Sequence, residues 1–244
     1  MLGIAIRYGV TLEALQAANP TADARMLSIG TQLVVPLMGT EEGPQPTETP
    51  VPLPIGAPTC YPAGDGGVWC AAYLINDQET ELENLSAWMG LYVGDEVWAS
   101  QTVVPPLNKV AAGEQAPLVA YFAGPVPAGA WPRVEALTSI PVAEEGSRYL
   151  QVETDEVQVE LLADSRAAQV KAQVVWAEGQ AVPGSVWVVA AAEDVQGRLV
   201  GMRKLETRPT CAQEANCRSM EVTLTVFSLG PDIETVRLFV EARP

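Results

Sequence analysis

The chain has 244 residues, with 14 Lys+Arg against 30 Asp+Glu, a formal charge of −16 and no histidine. That excludes a Ser-His-Asp or Cys-His relay, a zincin-type metal centre and any imidazole acid or base near neutral pH. The acidic balance also argues against nucleic acid as partner, because contact with a phosphate backbone rests on clustered Lys and Arg.

An apolar content of 48% supports hydrophobic cores, and 20 Gly with 20 Pro favour short strands over long helices. No run of 18 apolar residues occurs, so no membrane span is expected. Met1 to Arg7 lacks the charged and apolar regions of a signal peptide, which leaves a cytosolic chain or one that begins further upstream.

Residues 1–36 carry two Arg and two acids and have a helical pattern, with Ile4, Leu12, Leu15 and Leu27 as apolar anchors. Tyr8-Gly9-Val10-Thr11 places a glycine stop after one short helix and Thr11 as N-cap of a second, which Asn19-Pro20 closes. After a loop, Ile29-Gly30 and Leu33-Val34-Val35-Pro36 predict a turn and a short strand ended by proline.

This run over Leu2 to Pro36 resembles a LysM module. The resemblance implies a βααβ unit that binds N-acetylglucosamine-containing glycan, peptidoglycan or chitin, in a shallow groove between two loops. It assigns one glycan-contacting loop to Asn19, Pro20, Thr21, Ala22, Asp23, Ala24 and Leu27, within the stretch that ends at Leu27. The first strand and the other loop would precede residue 2, so the last strand is expected to be an unpaired edge. Either upstream sequence completes the module or it is a remnant.

Residues 37–59 contain six Pro between Pro44 and Pro58, three Glu and no basic residue. Each proline removes a donor and restricts the residue before it, so a semi-rigid polyproline II spacer is predicted.

Everything from Cys60 onward predicts strands, in two modules of residues 60–143 and 144–244. The clearest runs in the first are Val68–Asn76, Leu85–Val93, Glu96–Val104, Leu118–Phe122 and Pro132–Pro141. In the second they are Val157–Ala163, Ala168–Trp176, Ser185–Ala192, Arg198–Glu206, Met220–Phe227 and Thr235–Ala242. A repeat of about 100 residues aligns Trp88 with Trp187, Leu118–Phe122 with Val222–Phe227, and Trp131–Leu137 with Ile233–Phe239. The pattern resembles the immunoglobulin-like FxLYD-type modules of bacterial envelope proteins. The expected fold class is therefore mainly β: two tandem immunoglobulin-like β-sandwiches after a small, incomplete α+β module and a proline-rich linker.

Four cysteines fall into two close pairs, Cys60/Cys70 and Cys211/Cys217, each bracketing a turn-like stretch. Three connectivities are open; pairing within each turn is the simplest, and it implies an oxidising, extracytoplasmic setting. The acidic stretch Asp77-Gln-Glu79-Thr-Glu81-Leu-Glu83 could hold Ca²⁺ but lacks the loop spacing for it, so a solvated turn is favoured and no metal or cofactor is expected.

Of the six Trp, Trp88 and Trp187 read as core and Trp69 as a buried ring beside Cys70. Trp98 and Trp131 lie where exposure is expected, and a sugar platform there is weighed against packing. No nucleophile elbow, P-loop or dinucleotide fingerprint is present, so no enzyme is expected. The expectation is a cell-wall-associated or secreted protein that binds peptidoglycan and displays two sandwiches. The alternative is an adhesion protein in which the module is inert and the sandwiches bind another envelope protein.

Overall fold

The structure, a computed structural model, describes residues 12–19, 33–35, 52–143, 148–162, 164–210 and 217–244. The chain divides into two compact units, Met1–Thr49 and Pro50–Pro244.

In the first unit, helix α1 spans Leu12–Ala17, inside the second helix expected from the sequence. Leu15 is fully buried. The earlier short helix, with Thr11, lies outside the described residues.

The second unit is all β. Strands β1 (Thr59–Pro62), β2 (Val68–Ile75) and β6 (Gln115–Phe122) form one sheet in the order β1-β2-β6. Facing it, β3 (Leu82–Val93) is flanked on one side by β7 (Trp131–Pro141) and on the other by β4 (Glu96–Val103) and the short β5 (Lys109–Val110). The second half repeats this plan. Strands β8 (Val152–Leu162), β9 (Ala167–Trp176) and β12 (Ser219–Phe227) form a sheet in the order β12-β9-β8, opposite β10 (Ser185–Glu193) between β11 (Leu199–Thr207) and β13 (Thr235–Arg243). The strands therefore correspond as β1 to β8, β2 to β9, β3 to β10, β4 to β11, β6 to β12 and β7 to β13, and all the pairings are antiparallel. The fold is two immunoglobulin-like sandwiches built on one plan, as the repeat implies.

Side-chain alternation explains the sheets. On β9, Ala168, Val170, Ala172, Val174 and Trp176 are buried while Lys171 is exposed, the period-2 signature of a strand with one face on a core. β2 departs from it because both of its faces are covered. Val68, Cys70 and Leu74 enter the first sandwich's core, whereas Ala71 and Tyr73, with Tyr61 of β1, join the core of the second. A strand covered on both faces reads as a nearly continuous apolar run, as Val68–Ile75 does.

The end of the proline tract belongs to the first sandwich. Leu53 is buried in its core, Ile55 bridges Leu74, Gly56 N–H donates to Tyr73 O at 2.8 Å, and Ile75 N–H donates to Pro54 O at 2.9 Å. The linker expected to run to residue 59 thus gives way to paired chain by Pro54. Pro54 and Pro58 are tolerated on this edge because their missing donors disrupt no inner ladder.

Cys60 and Cys70 face each other across β1 and β2 and are disulfide-bonded, with a Cα–Cα distance of 4.0 Å. A cross-link closing ten residues of sequence restricts the unfolded chain by roughly 2–3 kcal/mol. Cys217 is also disulfide-bonded; Cys211, its expected partner, lies outside the described residues.

The two sandwiches meet through polar clamps as well as apolar packing. Tyr61 O–H donates to Leu199 O at 3.0 Å, and Tyr73 O–H to Glu193 Oε1 at 2.7 Å. Burial, reinforced by that bond to Glu193, pushes the Tyr73 phenol well above its ordinary range, so it stays a donor. Glu241 of β13, 2% exposed, accepts from Asn108 N–H at 2.7 Å, Asn108 Nδ2 at 3.1 Å, Lys109 N–H at 3.0 Å and Arg243 Nε at 2.9 Å. Buried Glu83 of β3 accepts from Tyr149 O–H at 2.6 Å and Arg148 Nη2 at 3.1 Å.

The β10–β11 turn has its own clamp. Buried Asp194 accepts from Gln196 N–H at 2.9 Å, Arg198 N–H at 3.0 Å and Arg198 Nε at 2.7 Å. Burial opposes the charge, but the Arg198 side chain and the two N–H groups outweigh it and hold the carboxyl below its usual value. A depressed carboxyl contributes stability above its unfolded pKa of about 3.9 and loses it as pH falls through the folded value. Asp194→Asn is therefore expected to cost about 1–2 kcal/mol at neutral pH. In urea unfolding the gap to wild type should narrow steadily below about pH 4, where the unfolded wild-type chain takes up the proton first, and close once the folded carboxyl is protonated at its lower value.

Candidate functional site

The best-defined local geometry in the first unit centres on Asn19. It follows α1, its backbone N–H donates to Gln16 O at 3.0 Å, and its side chain is 9% exposed. Nδ2 donates to Leu15 O at 2.7 Å and to Val34 O at 2.6 Å, while Oδ1 accepts from Val34 N–H at 2.7 Å. The amide thus pairs with Val34 as a peptide group of a neighbouring strand would, and ties that residue to the end of α1.

One expectation changes with this geometry. Residues 33–35 are irregular rather than a strand, and Val34 has both backbone groups engaged by a side chain. Asn19, which the resemblance places in the glycan-contacting loop, has both amide hydrogens and its carbonyl engaged within the protein, joining the end of α1 to Val34. Pro20, Thr21, Ala22, Asp23, Ala24 and Leu27 lie outside the described residues.

The tryptophans distribute differently from the sequence reading. Trp69 is 37% exposed, its ring 4.9 Å from that of Tyr121, rather than buried beside the disulfide. That role falls to Trp176 in the second sandwich, which is buried and donates from Nε1 to Cys217 O at 3.0 Å. Trp88 and Trp187 are half-buried and lie outside the two core clusters, Trp88 on the outward face of β3 and Trp187 with its indole nitrogen buried. Trp187 lies between Lys204 Nζ, 3.4 Å from its ring, and the Arg243 guanidinium at 4.6 Å. Trp98 and Trp131 are exposed, as expected.

Trp88 has company that the sequence reading missed. Its ring occupies the space above Gly90, where any Cβ would collide with it. Tyr92 stands against it edge-on, with centroids 6.0 Å apart and planes at 72°. Trp131, paired with Tyr92 across β3 and β7, stacks on Tyr92 at 4.8 Å and 20°. Trp131 Nε1 donates to Gly94 O at 3.1 Å, in the β3–β4 turn where Gly94 has φ 61°. The signal was present: Trp88, Gly90 and Tyr92 alternate with Ala87, Met89 and Leu91. It is hard to read because both faces of β3 carry apolar side chains.

The acidic stretch is dispersed. Glu81 pairs with Lys109 Nζ at 2.7 Å and Glu83 faces Tyr149, so each is engaged separately. Among the described residues no group of three His, Cys, Asp or Glu is placed to hold a metal ion, and no helix is long and apolar enough to cross a membrane.

No curated protein sequence matches this chain. Among solved structures, a glycosyl hydrolase family 2 member from Bacteroides cellulosilyticus aligns with a TM-score of 0.25 and 16% identity over 71% of this chain and 25% of its own. A second structure, of a glycosyl hydrolase family 2 member from Bacteroides cellulosilyticus DSM 14838, aligns with a TM-score of 0.25 and 15% identity over 71% of this chain and 26% of its own. The chain spans about a quarter of the length of those two structures. Residues 3–36, which include Asn19, match the LysM domain family, a match that points to glycan binding.

Proposed function

We propose that this is a non-catalytic protein of the cell envelope or its surroundings, attached to peptidoglycan or a related N-acetylglucosamine glycan through residues 1–36. It displays the paired sandwiches beyond the wall. The LysM match over residues 3–36 carries this reading. The Cys60–Cys70 disulfide fits an oxidising compartment. The distribution of charge fits it as well. The attachment segment is neutral, whereas the spacer and sandwiches hold the whole acidic excess, which repels anionic surfaces and favours solubility.

The test is co-sedimentation with purified peptidoglycan. The full chain is expected in the pellet and a chain lacking residues 1–36 in the supernatant. Equal retention of both would reject the attachment role and favour the adhesion alternative, in which the sandwiches bind another envelope component.

A further inference from the structure

We propose that the outer face of the β7-β3-β4 sheet is a second saccharide-binding surface, on which neutral pyranose rings stack against Trp88 and Trp131. It rests on the first sandwich alone and not on the reading of residues 1–36.

The strand registers arrange this face in rows. Val97, Tyr92 and Trp131 form one; Ser100, Gly90 and Arg133 the next; Thr102, Trp88 and Glu135 the third. Gly90 leaves room for the Trp88 ring to lie across the middle row, and the stacked Tyr92–Trp131 pair closes one end as an upright wall. Trp131 is 44% exposed. On either side of this aromatic corner stand groups that exchange hydrogen bonds: Ser100 and Thr102 from β4, and the Arg133–Glu135 ion pair from β7.

A sugar ring presents C–H groups on its faces and hydroxyls around its rim, the complement of an aromatic floor between polar flanks. Three strands spaced by about 4.8 Å span roughly 10 Å, the width of one or two pyranose units. That patch is small beside the roughly 800 Å² per partner that a stable protein interface needs. Asp95, Glu96 and Glu135 border or line it, so a second copy placed symmetrically would set like charges together. The net charge of −16 disfavours anionic polymers in the same way. Neutral saccharide meets none of these objections.

Residues 1–36 contain no Trp, and all six lie between residues 69 and 187, so tryptophan emission reports on the sandwiches and not on the attachment segment. The experiment titrates the full chain with chitotetraose and with cellotetraose while following that emission. A saturable change with at least one is expected. Trp131→Ala, which removes an exposed ring and leaves the cores intact, should weaken it at least ten-fold without lowering the melting temperature, and Trp88→Ala should do the same. Asn19→Leu should leave it unchanged, so this site and the attachment segment fail separately. No saturable change with either sugar, or a titration unaltered in Trp131→Ala, overturns the proposal. So does a concentration-dependent dimer that Trp131→Ala abolishes, which would assign the face to a second copy.

Discussion

Asn19→Leu is expected to abolish retention of the full chain on purified peptidoglycan while leaving the melting transition of the sandwiches unchanged. Leucine nearly matches the amide in shape but supplies none of its three hydrogen bonds, so Leu15 O, Val34 O and Val34 N–H lose their partner. Each such group costs about 1–3 kcal/mol when water cannot replace the bond. A module this small rarely holds more than about 3–5 kcal/mol in its core, so the loss is comparable to its whole stability. Asn19→Asp separates the parts: its carboxylate still accepts from Val34 N–H but donates to neither carbonyl, and intermediate retention is expected. Full retention of Asn19→Leu would show that the clamp does not hold the glycan-binding conformation.

The second large effect is at the junction of the sandwiches. Glu241→Ala removes the acceptor for two backbone N–H groups, the Asn108 amide and Arg243. Breaking a buried charged cluster on one side costs about 3 kcal/mol, because the donors left behind stay buried. For a unit of this size that is a fall of roughly 6–12 °C in melting temperature. Glu241→Gln keeps one acceptor oxygen but turns an NH₂ toward the remaining donors, and should fall about midway. A loss below about 1 kcal/mol for Glu241→Ala would mean that water replaces the carboxylate and that apolar packing alone joins the two bodies. By comparison the Arg237–Glu114 pair, at 3.0 Å and largely exposed, is expected to contribute little.

The strand pattern was legible in outline, and the places where it was not have local causes. Leu82–Asn84 was missed as the start of β3, and Val152–Glu156 as the start of β8. In each the alternation is interrupted at a residue in the left-handed region, Asn84 with φ 56° and Glu156 with φ 49°, and the register shifts there. β1 and β5, four and two residues long, are too short to show a period. The local disulfide pairing could be read from spacing, since Cys60 and Cys70 sit in adjacent strands of one hairpin.

The aromatic residues were harder, because hydrophobicity alone does not tell a strand which of its two apolar faces turns inward. Trp88 and Tyr92 alternate with Met89 and Leu91, and the smaller set went into the core. In residues 1–36 the family pattern identified Asn19, but not that its amide would take the place of a backbone neighbour for Val34.

By itself the sequence determined the composition-level exclusions, the LysM resemblance, the two-fold repeat and most strand positions, because each follows from local spacing along the chain. Only the tertiary structure decided that Tyr61, Ala71 and Tyr73 face the second sandwich rather than their own core, and that Glu241 fastens a loop more than 130 residues before it. The same holds for Trp88, Tyr92 and Trp131, which gather into one outward corner. Those outcomes depend on which faces of separate sheets meet, and the period of a strand fixes its two faces without naming their neighbours.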